Sequence, residues 1–267
     1  MNDSLAGRRV VVVGASAGIG RAVAIWAVRS GAQVALVARR PERLADVVAE
    51  AGGGTAVPGD VRDAASCTEA IKSSAESLQG IDALCYSAGM APLAMLADTD
   101  VAHWQAVFET NVIGAHHAIQ ASLPYLPPSS VVMALASETT LQPRVGLGAY
   151  GASKSALRSA MAAWRGEHPG HRFCCVLVGP TAPTEFGDDF DGRLLGAVLE
   201  DWARRGLAQE EMLHTDDVGQ VLVDMMAMLL RHPQVGIDEF VLRSPSAVVG
   251  TATSIRSSFA EHAEEVR

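Results

Sequence analysis

The stretch Val10-Val11-Val12-Val13-Gly14-Ala15-Ser16-Ala17-Gly18-Ile19-Gly20-Arg21 is the starting point. Four β-branched residues in a row, with no polar alternation, read as a strand buried on both faces. Gly14, Gly18 and Gly20 then let the backbone turn tightly, and a helical pattern follows over 19–29. Strand, glycine turn and helix in this order suit a dinucleotide pyrophosphate. The glycines allow close backbone approach, and the helix start offers free N–H groups and a positive dipole end. In a chain with 25 glycines the spacing G-x-x-x-G-x-G is weak by itself. Its placement at the first strand–helix junction carries the argument. The competing reading is a turn that only packs a helix on a strand.

Outward from this turn, short apolar runs alternate with helical patterns. Strand-like runs fall at 9–13, 33–38, 55–57, 81–87, 131–136 and 173–178, with a last candidate at 239–242. Helical patterns fall at 19–29, at 42–50 behind Pro41, at 153–164 and at 216–230. Val101, Trp104, Phe108, Val112 and Ala115 recur on one helical face. Gly52 to Gly54 end a helix rather than join domains. This alternation predicts an α/β fold: a doubly wound parallel sheet with right-handed crossovers, in a single domain over 1–267. The pattern loosens at 184–214, which reads as a mobile loop or lid beside the site. Phe186, Phe190, Trp202 and Met212 there either line an apolar pocket or pack the loop to the body. The polar tail at 244–267 has no strong pattern.

The 267 residues are 49% apolar and carry a formal charge of -9. That content supports a sizeable core, and the acidity argues against a nucleic-acid or anionic-membrane surface. Cys67, Cys85, Cys174 and Cys175 form neither a disulfide framework nor a zinc pattern. No run reaches the roughly 20 apolar residues of a membrane helix. A cytoplasmic protein with buried thiols is expected. His116-His117 and the His168/His171 pair lack a third ligand, so no metal is expected.

The second strand ends Val37-Ala38-Arg39-Arg40. An acidic residue here would bind a ribose 2′-OH, whereas arginines accept a 2′-phosphate. Ala38 leaves the acidic position empty, so NADP(H) is favoured over NAD(H). Two solvated surface charges are the alternative. Asp60-Val61 is placed either to border the adenine or to make a simple turn.

Tyr150-Gly151-Ala152-Ser153-Lys154 opens a helical stretch in a chain with three tyrosines and two lysines. Residues four apart share a helix face, so phenol and ammonium can address one point. A nearby ammonium favours phenolate, as acid–base work near neutrality needs. An exposed i,i+4 pair is the bland alternative.

With these residues the chain resembles the short-chain dehydrogenase/reductase family in its shorter-subunit branch, over roughly 8–242. Gly14, Gly18 and Gly20 match its glycine turn, and Ala88-Gly89 matches the second half of Asn-Asn-Ala-Gly. Asn111 matches its helix Asn, Ser137 its Ser, and Tyr150 and Lys154 its Tyr-x-x-x-Lys. The resemblance implies a Rossmann-type fold and an NAD(P)-dependent oxidoreductase acting on a ketone or secondary alcohol. Tyr150 would exchange the proton and Ser137 would hold the substrate oxygen. Lys154 would bind the nicotinamide ribose and lower the Tyr150 pKa, and Asn111 would position a relay water. Ser16, Ile19, Arg39, Arg40, Asp60, Val61, Pro180 and Thr184 would join the cofactor site. A homodimer or homotetramer across the Lys154 helix and the long helix before it is also implied. The sequence departs from the family in several places, among them a last strand without the usual Gly-rich ending and the extra polar tail. Val13 stands for a Thr, Tyr86-Ser87 for Asn-Asn, and Gly179-Pro180 inverts the usual Pro-Gly while Thr184 keeps register. These changes keep a second possibility in view, a non-catalytic NADP(H)-binding sensor or scaffold on the same fold.

Overall fold

The computed structural model describes residues 4–188 and 190–248. The first strand, β1 (Arg9–Val13), runs into α1 (Gly18–Arg29), β2 (Gln33–Ala38), α2 (Pro41–Ala51), β3 (Thr55–Pro58), α3 (Ala64–Leu78) and β4 (Ala83–Tyr86). The second half continues through α4 (Val101–Phe108), α5 (Gly114–Ser122), β5 (Val131–Ser137), α6 (Gly148–Glu167) and β6 (Arg172–Val178). It closes with β7 (Thr181–Ala182), α7 (Gly192–Arg204), β8 (Leu213–His214), α8 (Thr215–Arg231) and β9 (Glu239–Leu242). Seven strands form one sheet in the order β3-β2-β1-β4-β5-β6-β9, and every pairing is parallel. The order reverses between β1 and β4, which is the switch point of a doubly wound Rossmann-type sheet.

Helices cover both faces. Val10, Val12, Leu36, Cys85, Met133 and Val176 point to the layer of α1, α2 and α8. Their neighbours Val11, Val13, Val37, Leu84, Val132 and Cys175 point to the layer of α3, α5 and α6. Both sets must be apolar, which is why the strands read as unbroken runs. The α1–α8 crossing is close: a Cβ on Gly219 would lie 2.6 Å from Ala22 Cβ. The Trp26 indole N–H also donates to Asp216 across it, at 2.8 Å. Gly52 ends α2 at φ 76°, in the left-handed conformation that glycine adopts without strain.

Three features refine the sequence reading. The stripe from Val101 to Ala115 is helical throughout, with a π turn at Glu109–Ile113 joining α4 to α5. The stretch at 184–214 is more regular than a loop. Asp191 caps α7 by accepting the Leu194 N–H at 2.8 Å, and Leu194, Leu195, Val198, Leu199 and Trp202 form its apolar stripe. Helix α3 falls between the expected helical patterns, and Asp63 caps it by accepting the Ser66 N–H. Of the polar tail, residues up to 248 pack along 209–211 through hydrogen bonds such as Glu210 N to Ala247 O. The rest of the tail lies outside the described residues.

Candidate active site

The glycine turn is fixed by contact as well as by conformation. Gly14 has φ 87°, and a Cβ there would sit 2.5 Å from Ala88 N. A Cβ on Gly20 would sit 2.2 Å from Gly14 O. Both glycines are therefore required to seat α1 against the end of β4, whatever binds above them. Gly18 is also in the left-handed region, at φ 53°, and faces the Thr184 side chain. Ala17 precedes α1 without offering a side-chain cap, so the first N–H groups of the helix keep no side-chain acceptor. Ile19 packs its side chain into the core below the turn.

Arg40 reaches this turn. Its guanidinium donates to Ser16 Oγ at 3.2 Å and pairs with Glu185 at 2.7 Å. Arg43 pairs with the same carboxylate at 2.7 Å. Sequence reasoning missed Glu185 because it arrives from 142 residues away in sequence. Arg39 lies close enough to Asp60 for its charge to lower that carboxyl. Asp60 is held mainly by Arg62, through contacts of 2.6 to 3.1 Å that keep its carboxyl below the ordinary range. Val61 offers its carbonyl to the His117 ring at 2.9 Å.

The second half of the site gathers at the ends of β4 and β5. A Cβ on Gly89 would touch both Asn111 Oδ1 and Lys154 Nζ at 3.4 Å, so this segment lies directly over those two side chains. Asn111 is fully buried in the π turn. Its amide donates to Met90 O at 3.0 Å and to Ser153 Oγ at 2.9 Å, and its Oδ1 accepts from Met90 N at 2.9 Å. The side chain is thus occupied in tying the 89–90 backbone to α6. The wide π turn is what brings Asn111 into line for all three bonds.

Tyr150, Lys154 and Ser137 are all buried. Ser137 stands close enough to Tyr150 for its hydroxyl to oppose the effect of burial on the phenol, and its Oγ accepts from Thr139 N at 3.2 Å. The Lys154 ammonium donates to Leu135 O at 2.7 Å and stands 5.8 Å from the Tyr150 ring centroid. Burial pushes Tyr150 up to about 12, against opposing pulls from the Ser137 hydroxyl and the Arg144 charge. Burial also pulls Lys154 down to about 8. Burial outweighs the opposing pulls on the phenol, and the charge that opposes it comes from Arg144. Phe186 meets the Tyr150 ring edge-on at 5.1 Å, and Trp202 joins Tyr150 in one apolar cluster. Phe190 packs on Phe186 at 5.6 Å.

Two expected contacts have structural partners of their own. Pro180 O accepts from Leu213 N at 2.9 Å, where β7 and β8 pair. Thr184 Oγ1 accepts from Phe186 N at 3.3 Å. Tyr86, where the family has Asn, is fully buried and donates to Thr110 O at 2.5 Å. No group of three metal-ligating side chains occurs among the described residues.

A family profile described as short chain dehydrogenase matches residues 8–191. An uncharacterized oxidoreductase, YhxD, of Bacillus subtilis is 33% identical over 164 residues, covering 58% of this chain and 54% of that one. The chain spans about half to two thirds of the length of the first curated relatives it matches. Among solved structures, a short chain dehydrogenase from Burkholderia cenocepacia in complex with NADP superposes with a TM-score of 0.76 at 25% identity. That match covers 94% of this chain and 99% of the other. A dehydrogenase/reductase from Sinorhizobium meliloti superposes at 0.75 and 29% identity, covering 94% and 97%. The parallel sheet, the seated glycine turn and the buried serine, tyrosine and lysine agree with the match over 8–191: the chain belongs to the short chain dehydrogenase family.

Proposed function

We propose that the chain is an NADP(H)-dependent carbonyl reductase or alcohol dehydrogenase that uses Tyr150 as its general acid and base. The observation that carries this is the buried Tyr150 phenol. It lies beside Ser137, with Lys154 one helical turn further along α6. The residues present fit a nicotinamide dinucleotide: a seated glycine turn, an α1 start without a side-chain cap, and Arg40 against Ser16. Gly14, Ser16, Gly18, Ile19 and Gly20 would cradle the pyrophosphate. Arg39 and Arg40 would take a 2′-phosphate, and Asp60, Val61, Ala88, Gly89, Pro180 and Thr184 would border the remainder. Such a cofactor, when bound, supplies or accepts a hydride at the substrate carbon.

The chain's own residues manage the oxygen. As a carbonyl carbon gains hydride, negative charge develops on its oxygen, and Ser137 and Tyr150 are the donors placed to meet it. The Tyr150 proton passes to that oxygen and completes the alcohol; in the reverse direction the phenolate takes the proton back. Lys154 stands behind the phenol as a cation that stabilises the phenolate. Phe186 and Trp202 keep water from the ring. Reduction is the favoured direction in a cell that keeps NADPH reduced. A second copy packing across α6 and the long helical stretch before it, α4 to α5, belongs to the same proposal; Val101 and Ile113 are exposed on that stretch, and mass measurement in solution tests it.

The test is NADPH consumption with a panel of ketones and aldehydes, alongside Tyr150→Phe. The variant should bind NADPH like the parent and lose turnover by about a hundredfold or more. Turnover that survives the substitution would remove Tyr150 from the mechanism.

A further inference from the structure

The connection between β5 and α6 holds a buried ion pair that the proposed mechanism does not use. Arg144 is 8% exposed, and its guanidinium donates to the Glu138 carboxylate. Glu138 directly follows Ser137 in the chain. The guanidinium carbon lies 5.5 Å from the Trp202 ring centroid on α7. The Trp202 indole donates to Val145 O at 3.0 Å, which fixes the ring over the same connection. Trp202 also shares a cluster with Tyr150, Leu147, Val198 and Leu199. The Arg144 Nε is buried and has no hydrogen-bond partner among the described residues.

A buried ion pair is a poor stabilising device, because apolar residues of the same volume often do as well. The position of this one suggests a different use. We infer that Arg144 is a positioning residue: a permanent cation, clamped by Glu138 and Trp202, that acts on the Tyr150 phenol as a second positive charge alongside Lys154. Glu138 moderates that charge as well as holding it. The groups around Tyr150 are Ser137 from β5, Arg144 from the connection and Lys154 from α6, with the uncharged Phe186 and Trp202 on the remaining side. Glu138 reaches this set through Arg144, whose guanidinium it holds. The Arg144 charge opposes the burial that holds the phenol protonated. The inference rests on Tyr150 being the acid and base of the proposed reaction.

The experiment follows alcohol oxidation against pH, where the phenolate is the active form. Glu138→Gln removes the compensating anion and should move the rising limb of kcat/KM down by about one pH unit, a tenfold change in phenolate at fixed pH below the midpoint. The double variant E138Q/R144M leaves no uncompensated buried charge and should move the limb up by a similar amount. Arg144→Lys keeps the charge and should keep the parent midpoint. NADP+ affinity should be unchanged in all three. Coincident midpoints, with only the rate lowered, would overturn the inference and leave the pair a structural clamp. If the parent turns over no carbonyl or alcohol, the proposed function fails first. Phenolate absorbance, taken as the difference between each protein and its Tyr150→Phe counterpart, then decides the inference without turnover. A lower midpoint in E138Q supports it, and an unmoved one overturns it.

Discussion

Burial acts on Tyr150 and Lys154 in the same sense, against the charged form of each. For Lys154 this has a stability consequence with a definite sign. Its folded value of about 8 lies below the 10.5 of an exposed lysine. Below pH 8 the folded chain carries a buried ammonium that the unfolded chain would solvate, and the penalty is fully present. It is relieved as pH rises from 8 to 10.5, as the folded form sheds its proton first. Lys154→Met should therefore raise stability by about 1–3 kcal/mol at pH 7, with the unpaired Leu135 carbonyl trimming the gain, and activity should be lost. The gain should shrink toward zero above pH 10, as read from urea midpoints at the two pH values. A gain that is the same at both would show that the ammonium is not its source. At the other end of the site, Glu185 neutralises Arg40 and Arg43. Such exposed pairs are worth up to about 1 kcal/mol, so Glu185→Gln should tighten NADPH by roughly two- to fivefold and leave NADH unchanged. Binding titrations with both cofactors check this. Equal changes would separate Glu185 from the 2′-phosphate position. Residue type made Tyr150, Lys154 and Arg40 legible in the sequence. Glu138, Arg144 and Glu185 were not, because their meaning comes from contacts that no spacing encodes.

At the scale of elements, the π turn between α4 and α5 couples a sequence departure to a geometric need. Tyr86 fills the layer beneath β4 and donates to Thr110 O inside the π turn. Gly114, the first residue of α5, makes room for it: a Cβ there would lie 2.7 Å from the Tyr86 hydroxyl and 2.8 Å from Val61 Cγ2. Gly114→Ala should cost about 1–3 kcal/mol through this crowding, despite alanine's better helix propensity. Tyr86→Phe should cost about 1 kcal/mol for the lost hydrogen bond. The double variant should be less destabilised than the sum, because removing the hydroxyl relieves part of the clash, while Val61 keeps the relief partial. Strict additivity in a denaturation cycle would contradict the contact. The stripe Val101, Trp104, Phe108, Val112 and Ala115 was legible as helical, but a π turn changes the period by only one residue, within what apolar spacing tolerates. Helix α7 was missed for a different reason. Its stripe is in the sequence, but the acidic residues before it read as a loop and hid Asp191 as a cap.

For the whole molecule, the sheet carries two apolar layers. The even-numbered valines of β1 face one and the odd-numbered face the other. This three-layer order was legible, because runs without alternation leave few other solutions. The thiols sample both layers. Cys85 and Cys174 belong to the layer of α1, α2 and α8, and Cys67 and Cys175 to that of α3, α5 and α6. All four are free and buried. Burial pushes the thiols up to about 11 for Cys67 and Cys175, and to about 12 for Cys85 and Cys174. A disulfide reagent reacts with thiolate, so native labelling at pH 8 must wait for opening. The four should stay unreactive in the folded protein and label together in denaturant if the layers unfold as one unit, since both are anchored on the same strands. Mass spectrometry during slow labelling reads this directly. A population carrying two labels, on Cys67 and Cys175 alone, would show that the α3, α5 and α6 layer opens first. That layer carries Lys154 and Asn111, so its separate opening would place the lower local stability of the molecule under its proposed chemistry. A single step from no labels to four would instead make the sheet and both helical layers one cooperative support for the site.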